Sequence, residues 1–168
     1  MALVLNEEQR FLQDSAREFL SNNAPVEALR KLRDTRDPLG YDPQLWQQMA
    51  ELGWASIILP EAYGGLDFGF TGLGIVMEEA GRTLTASPLF ASAVVAASAI
   101  LLGCSEQQKS ALLPEIAGGR LTLALALEES IAGVQSGAET VNQVTQDTSL
   151  DLTLVPLKET PNMLIRTI

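Results

Sequence analysis

Few side chains in this 168-residue chain could do covalent or acid–base chemistry, and they are soon counted. There is no histidine and a single cysteine, Cys104. Without an imidazole there can be no Ser-His or Cys-His nucleophile pair and no imidazole metal site. Proton transfer would therefore fall to carboxylates, lysine or tyrosine. Cys104 stands just past a predicted helix end and has no base to activate it, so it reads as structural. One cysteine also excludes a disulfide within the chain and fits a reducing compartment. The 21 acidic residues outnumber the 11 basic ones, for a net charge of −10. That balance speaks against nucleic-acid binding, which needs clustered Lys and Arg. The densest basic run, 30–36, is interrupted by Asp34 and reads as a solvated helix face.

The elements that must position these groups are mostly helical. Hydrophobic residues make up 46% of the chain and aromatics only 5%, with Ala and Leu abundant. Asn6-Glu7-Glu8-Gln9 forms a capping box with acids at the positive end of the helix dipole. Phe11, Leu12, Ala16, Phe19 and Leu20 then recur at helical spacing as one apolar stripe. Val26–Arg33 predicts a short, exposed second helix. Asp42-Pro43 restarts a helix as cap and first-turn proline, with Leu45, Trp46, Met49 and Leu52 on its buried face and Gly53 as its stop. Trp54–Pro60 is an apolar connector. In Tyr63-Gly64-Gly65-Leu66 the paired glycines allow a tight turn and close backbone approach. Phe70–Ala80 predicts another helix, stopped at Gly81.

The centre of the pattern is Ser87-Pro88, again read as cap and first-turn proline, followed by Leu89–Leu102, apolar on nearly every face. Such a helix is central rather than amphipathic. Periodicity leaves open whether it is only core or also meets a ligand. At about 15 residues it is shorter than the roughly 20 needed to span a bilayer. The N-terminus carries no basic region or long apolar core of a signal peptide, so a cytoplasmic protein is expected. Ser105-Glu106-Gln107-Gln108 is a second capping box, opening a helix that ends at Gly118-Gly119. Leu121–Leu127 alternates large and small residues as a strand does. Asp151–Leu157 and Met163–Ile165 read as further short strands.

Taken in order, these stretches resemble the N-terminal helical domain of the acyl-CoA dehydrogenases. Leu5–Gln9 is similar to the family's opening. Leu52-Gly53-Trp54 with Leu59-Pro60-Glu61-Ala62-Tyr63-Gly64-Gly65-Leu66 resembles its "elGl…PeeyGGlg" segment, and Glu78–Arg82 its "eElgr". Gly103–Lys109, Leu113-Pro114 and Gly118-Gly119 resemble "G…eqk…lLP…sGe". The resemblance covers about residues 4–133. It implies a mainly α chain: an orthogonal helical bundle over 1–120, then a few short β-strands over 121–168 as the remnant of a truncated middle β-domain. About two dozen residues between the two halves of that β-domain are expected to be missing.

The resemblance further implies FAD-linked α,β-dehydrogenation of an acyl-CoA thioester in fatty acid metabolism. There a glutamate removes the α-proton while hydride passes from the β-carbon to flavin N5. The resemblance does not extend to the domain that carries that base in the family, so no catalytic residue and no metal ligand is assigned. Phe90, Ala93, Val94 and Ala97 correspond to the acyl-pocket wall. Leu127, Glu128 and Gly133 correspond to the flavin-contacting segment, which in the family runs "A-L-T-E-P-x-A-G-S-D". Glu128, Ser130, Val134 and Gln135 depart from that pattern. Glu128 stands either where a hydroxyl meets the flavin or as a solvent-facing acid at a strand end. The chain is expected to act as a homo- or hetero-oligomer with acyl-CoA dehydrogenase-type chains. The alternative is a non-catalytic assembly module that keeps the scaffold.

Overall fold

The computed structural model describes residues 4–126 and 153–156. Six α-helices run α1 (Glu7–Asn23), α2 (Val26–Thr35), α3 (Pro43–Glu51), α4 (Gly69–Arg82), α5 (Ala97–Gly103) and α6 (Glu106–Ala117). A π-helix, Leu89–Ala96, leads directly into α5, so 89–103 is one continuous central helix. Short 3₁₀ turns, Trp54–Ser56 and Glu61–Tyr63, fill the connection between α3 and α4. Strands β1 (Leu123–Ala126) and β2 (Thr153–Pro156) pair antiparallel, with Leu123 opposite Pro156.

Local chemistry explains the helix starts. The Asn6 side chain accepts from the Gln9 amide at 2.8 Å, and Gln9 returns a bond to the Asn6 amide at 3.1 Å. Ser105 and Gln108 make the same reciprocal box at α6. Asp42 accepts from the Gln44 amide at 2.8 Å, with Pro43 in the first turn. Gly53 follows α3 with a φ of 81°, the left-handed conformation that glycine adopts without strain. α2 buries no residue at all.

Four local expectations are corrected. Phe11 is 76% exposed and Leu52 48% exposed, so neither joins the core. Leu12 and Phe19 pack on that core beside Ala16 and Leu20; Phe11 sits one helical step off their face. α4 runs through Gly81 to Arg82, since its Gly81 needs no left-handed turn. Pro88, not Ser87, occupies the cap of the central helix, with no side-chain capping bond. Finally β1 is shorter than Leu121–Leu127 at its start. The strand expected at Met163–Ile165 lies outside the described residues.

Two apolar cores share the central helix. The first gathers Ala16 and Leu20 of α1, Trp46 and Met49 of α3, and Leu73 and Val76 of α4 around Leu89 and Ala93. The second gathers Leu113 and Ile116 of α6, with Leu59 and Leu123, around Ala96, Ala97 and Ile100. The helix is apolar on most faces because it separates two cores. Its alanines let the neighbouring elements approach closely. An edge-to-face contact of Phe19 and Trp54, with centroids 5.4 Å apart, closes the first core.

Candidate functional site

The central helix has one open stripe. Phe90 is 58% exposed and Leu102 86% exposed, while Val94, Ser98 and Leu101 are half-buried between them. Of the four residues read from sequence as pocket wall, Phe90 and Val94 stand on this stripe, four residues apart. Ala93 and Ala97 face inward, 1% and 0% exposed, one in each core. The structure thus exposes Phe90, packs the half-buried Val94 against the first core and buries Ala93 and Ala97 fully. An outward face of a surface helix is ordinarily polar; here it is Phe, Val and Leu.

Three buried hydrogen bonds, made by two side chains, fix the strand that leaves this helix bundle. The Trp46 indole Nε1 donates to the Gly119 carbonyl at 3.0 Å, tying α3 to the turn that ends α6. Ser92, fully buried, accepts from the Leu123 amide at 2.8 Å and donates to the Leu123 carbonyl at 2.9 Å. Neither was singled out from sequence. The hydroxyls of Ser92 and Ser98 in an otherwise apolar helical run were the available signal, because a buried hydroxyl must find partners. Leu127, Glu128 and Gly133, the residues read as flavin-contacting, follow β1 in sequence and lie outside the described residues.

Ionisable side chains cluster at two places. Glu79 is 1% exposed, yet it receives Arg17 Nε at 3.2 Å and Nη2 at 2.9 Å, with Arg82 Nε also at 3.2 Å. The hydrogen bond to Glu79 raises the Arg17 pKa further above its ordinary value. This fork joins α1 to α4 across 62 residues of sequence. The sequence reading used Glu78–Arg82 only as part of a motif. At the start of α6, the Tyr63 hydroxyl donates to Glu106 at 2.7 Å and Lys109 donates to the same carboxylate at 2.8 Å. Lys109, then Tyr63, holds the Glu106 carboxyl below its ordinary range, and the bond to Glu106 pushes the Tyr63 phenol up. Burial pushes the Cys104 thiol up, against a smaller opposing pull from Lys109. A protonated thiol at neutral pH is a poor nucleophile, in keeping with its structural reading.

A groove of about 790 Å³ opens elsewhere, between the first turns of α1 and the segment after Gly65, and none of the four expected pocket residues lines it. Among the described residues no group of three His, Cys, Asp or Glu side chains could hold a metal ion. No described helix is long and apolar enough to cross a membrane.

An orthogonal bundle of six helices ending in a short antiparallel pair is the fold class. Within it the chain belongs to the acyl-CoA dehydrogenase family: residues 6–120 match the family's N-terminal domain. Acyl-CoA dehydrogenase FadE12 of Mycobacterium tuberculosis is 31% identical over 136 residues, 80% of this chain and 34% of that protein. Isovaleryl-CoA dehydrogenase of Solanum tuberosum is 28% identical over 134 residues, 79% of this chain and 32% of that protein. Among solved structures, a variant of the Tcur3481–Tcur3483 steroid ACAD superposes with a TM-score of 0.65 at 35% identity. It covers 76% of this chain and 34% of the other. The glutaryl-coenzyme A dehydrogenase–glutaryl-CoA complex follows at a TM-score of 0.60 and 28% identity, over 79% of this chain and 34% of the other. The chain spans about a third of the length of the relatives it matches.

Proposed function

We propose that this chain supplies the helical wall of an acyl/FAD cleft and works in FAD-dependent α,β-dehydrogenation of an acyl-CoA thioester only together with partner chains. The observation that carries this reading is exposed apolar area at Phe90 and Leu102, with half-buried Val94 between them, on a helix otherwise buried in two cores. Exposed apolar area of that kind needs an apolar cover. An acyl chain together with the rest of a dehydrogenase would supply one. The division into a helical unit over 1–120 and a β-domain remnant over 121–168, in a cytoplasmic protein, belongs to the same reading. The pairing in the name Tcur3481–Tcur3483, borne by a relative at 35% identity, supports a hetero-oligomer.

FAD, when bound in such a cleft, accepts the hydride. Leu127 and Gly133 would bring backbone to its edge, in the segment that β1 leads into. Glu128 fits less well, because a carboxylate there would oppose the negative charge of reduced flavin. We therefore assign no step of the reaction to Glu128, and no base to this chain. That misfit favours the second reading, a non-catalytic assembly module that keeps the family scaffold.

A visible spectrum of the purified chain with added FAD, alone and after co-expression with acyl-CoA dehydrogenase-type chains, separates the two. Flavin absorbance and turnover are expected only in the co-expressed complex. Flavin in neither preparation would favour the assembly module. Measurable turnover by the isolated chain would refute the dependence on partners.

A Val94→Trp variant of that complex tests the pocket wall. Filling the outward face of the central helix should weaken acyl-CoA binding about tenfold or more, by analogy with overpacking costs of about 1–3 kcal/mol. Unchanged affinity in a titration followed by flavin absorbance would remove Val94 from the wall.

A further inference from the structure

We propose that Ser92 is a positioning residue: its hydroxyl stands in for a neighbouring strand and registers β1 on the central helix. The proposal rests on the reading above for what the segment after β1 meets, but the contact itself does not.

Ser92 is 0% exposed and lies in the π-helical half of the central helix, between Phe90 and Val94. Its Oγ makes two hydrogen bonds to a single residue, accepting from the Leu123 amide at 2.8 Å and donating to the Leu123 carbonyl at 2.9 Å. A hydroxyl is the smallest side-chain group that can both donate and accept. It thereby serves both backbone groups of Leu123, as the next strand of a sheet would.

Leu123 needs that service. It is 4% exposed, and its N–H and C=O both point to Ser92, on the side of β1 away from β2, so the pairing opposite Pro156 offers them no partner. Buried backbone groups are nearly always paired. Ser92 is thus the group that fixes where β1 starts along the helix. Strand register matters here because a slip of one residue turns every side chain of a strand to the opposite face. It also moves whatever follows the strand by about 3.3 Å. The segment 127–133 begins one residue beyond β1. One hydroxyl therefore couples the helix that carries Phe90 and Val94 to the strand that leads into the segment proposed to contact flavin.

The test has two readouts. Residue-resolved amide hydrogen exchange on the chain compares wild type with Ser92→Ala, Ser92→Cys and Ser92→Thr. Loss of the hydroxyl should speed exchange at the Leu123 amide about tenfold or more, while the amides of Leu20 and Val76 in the other core keep their rates. Ser92→Thr, which retains the hydroxyl, should restore Leu123. Ser92→Cys keeps the size but is a weak donor and acceptor, so it decides the matter if Ser92→Ala fails to fold.

FAD affinity, followed by quenching of flavin fluorescence in the preparation that binds flavin, should fall about tenfold in the same variants and recover with Thr. Unchanged Leu123 exchange in the Ala and Cys variants would overturn the register contact outright. Faster exchange with unchanged FAD affinity would overturn the positioning role. A wild-type complex that binds no FAD would overturn the cleft reading and the positioning role with it, while the Leu123 rates still judge the contact.

Discussion

Gly65→Ala is expected to destabilise the chain by about 3 kcal/mol or more, the upper end of overpacking costs. For a bundle of this size that lowers the thermal midpoint by roughly 10–15 °C. A Cβ at Gly65 would lie 1.9 Å from the Leu59 carbonyl oxygen and 2.2 Å from its carbon. These are backbone atoms, so no rotamer change relieves the clash. The segment is also zipped to its neighbour: the amides of Gly65, Leu66, Asp67 and Phe68 donate to the carbonyls of Pro60, Ser56, Leu59 and Ile57. Moving Gly65 away breaks several of these bonds together.

Gly81→Ala supplies the contrast. A Cβ there meets nothing within 4 Å, and the position lies within α4 with an ordinary helical φ. Alanine should stabilise it by roughly 0.5–1 kcal/mol. Thermal unfolding followed by circular dichroism reads both. A Gly65→Ala midpoint within about 3 °C of wild type would show that the close approach is not needed.

Glu79→Ala is the second large effect. Two glutamates stand side by side on α4, and only their burial separates them. Glu79 is 1% exposed and takes the Arg17 fork and Arg82, whereas Glu78 is 57% exposed and meets Arg82 alone at 2.7 Å. Removing Glu79 leaves the half-exposed Arg17 and Arg82 without their shared carboxylate and unties α1 from α4. A cost of about 1.5–3 kcal/mol is expected for losing these part-buried charged hydrogen bonds, in which only Glu79 is fully buried. Glu78→Ala removes an exposed pair and should change stability by at most about 0.5 kcal/mol. Urea midpoints of the two variants, compared at equal slopes, measure the difference. Equal midpoints would mean that the α1–α4 junction is held by its apolar contacts alone.

How far the sequence could be read depended on whether an interaction is local. The capping boxes at Asn6–Gln9 and Ser105–Gln108 and the Asp42 cap join residues two or three apart. Their partners lie within reach of any chain that starts a helix there, so spacing alone identifies them. The Gly53 stop and the close approach at Gly64-Gly65 were legible for a similar reason: glycine marks conformations that other residues resist. Phe11 and Leu52 were misplaced because helical periodicity places side chains on a face without saying how far the neighbouring element extends over it.

Long-range pairings could not be read this way. Glu79 with Arg17, Trp46 with Gly119 and Ser92 with Leu123 are 62, 73 and 31 residues apart. No local pattern distinguishes Glu79 from Glu78, or Ser92 from Ser98, until other elements are packed against them. The residues expected to line an acyl pocket show the same division. Their place on an apolar central helix is written in the run Leu89–Leu102. Only packing decides that Phe90 faces outward, that Val94 is half-buried against the first core, and that Ala93 and Ala97 disappear into two different cores.

By itself, then, the sequence determined the helical character, most helix starts, the ordered motifs of the acyl-CoA dehydrogenase family and the absence of a histidine-based chemistry. These follow from residue type and short spacing. The tertiary structure decided which carboxylate is buried, which face of the central helix stays open and which hydroxyl holds the strand. Each of those depends on desolvation, which exists only once distant segments exclude water together.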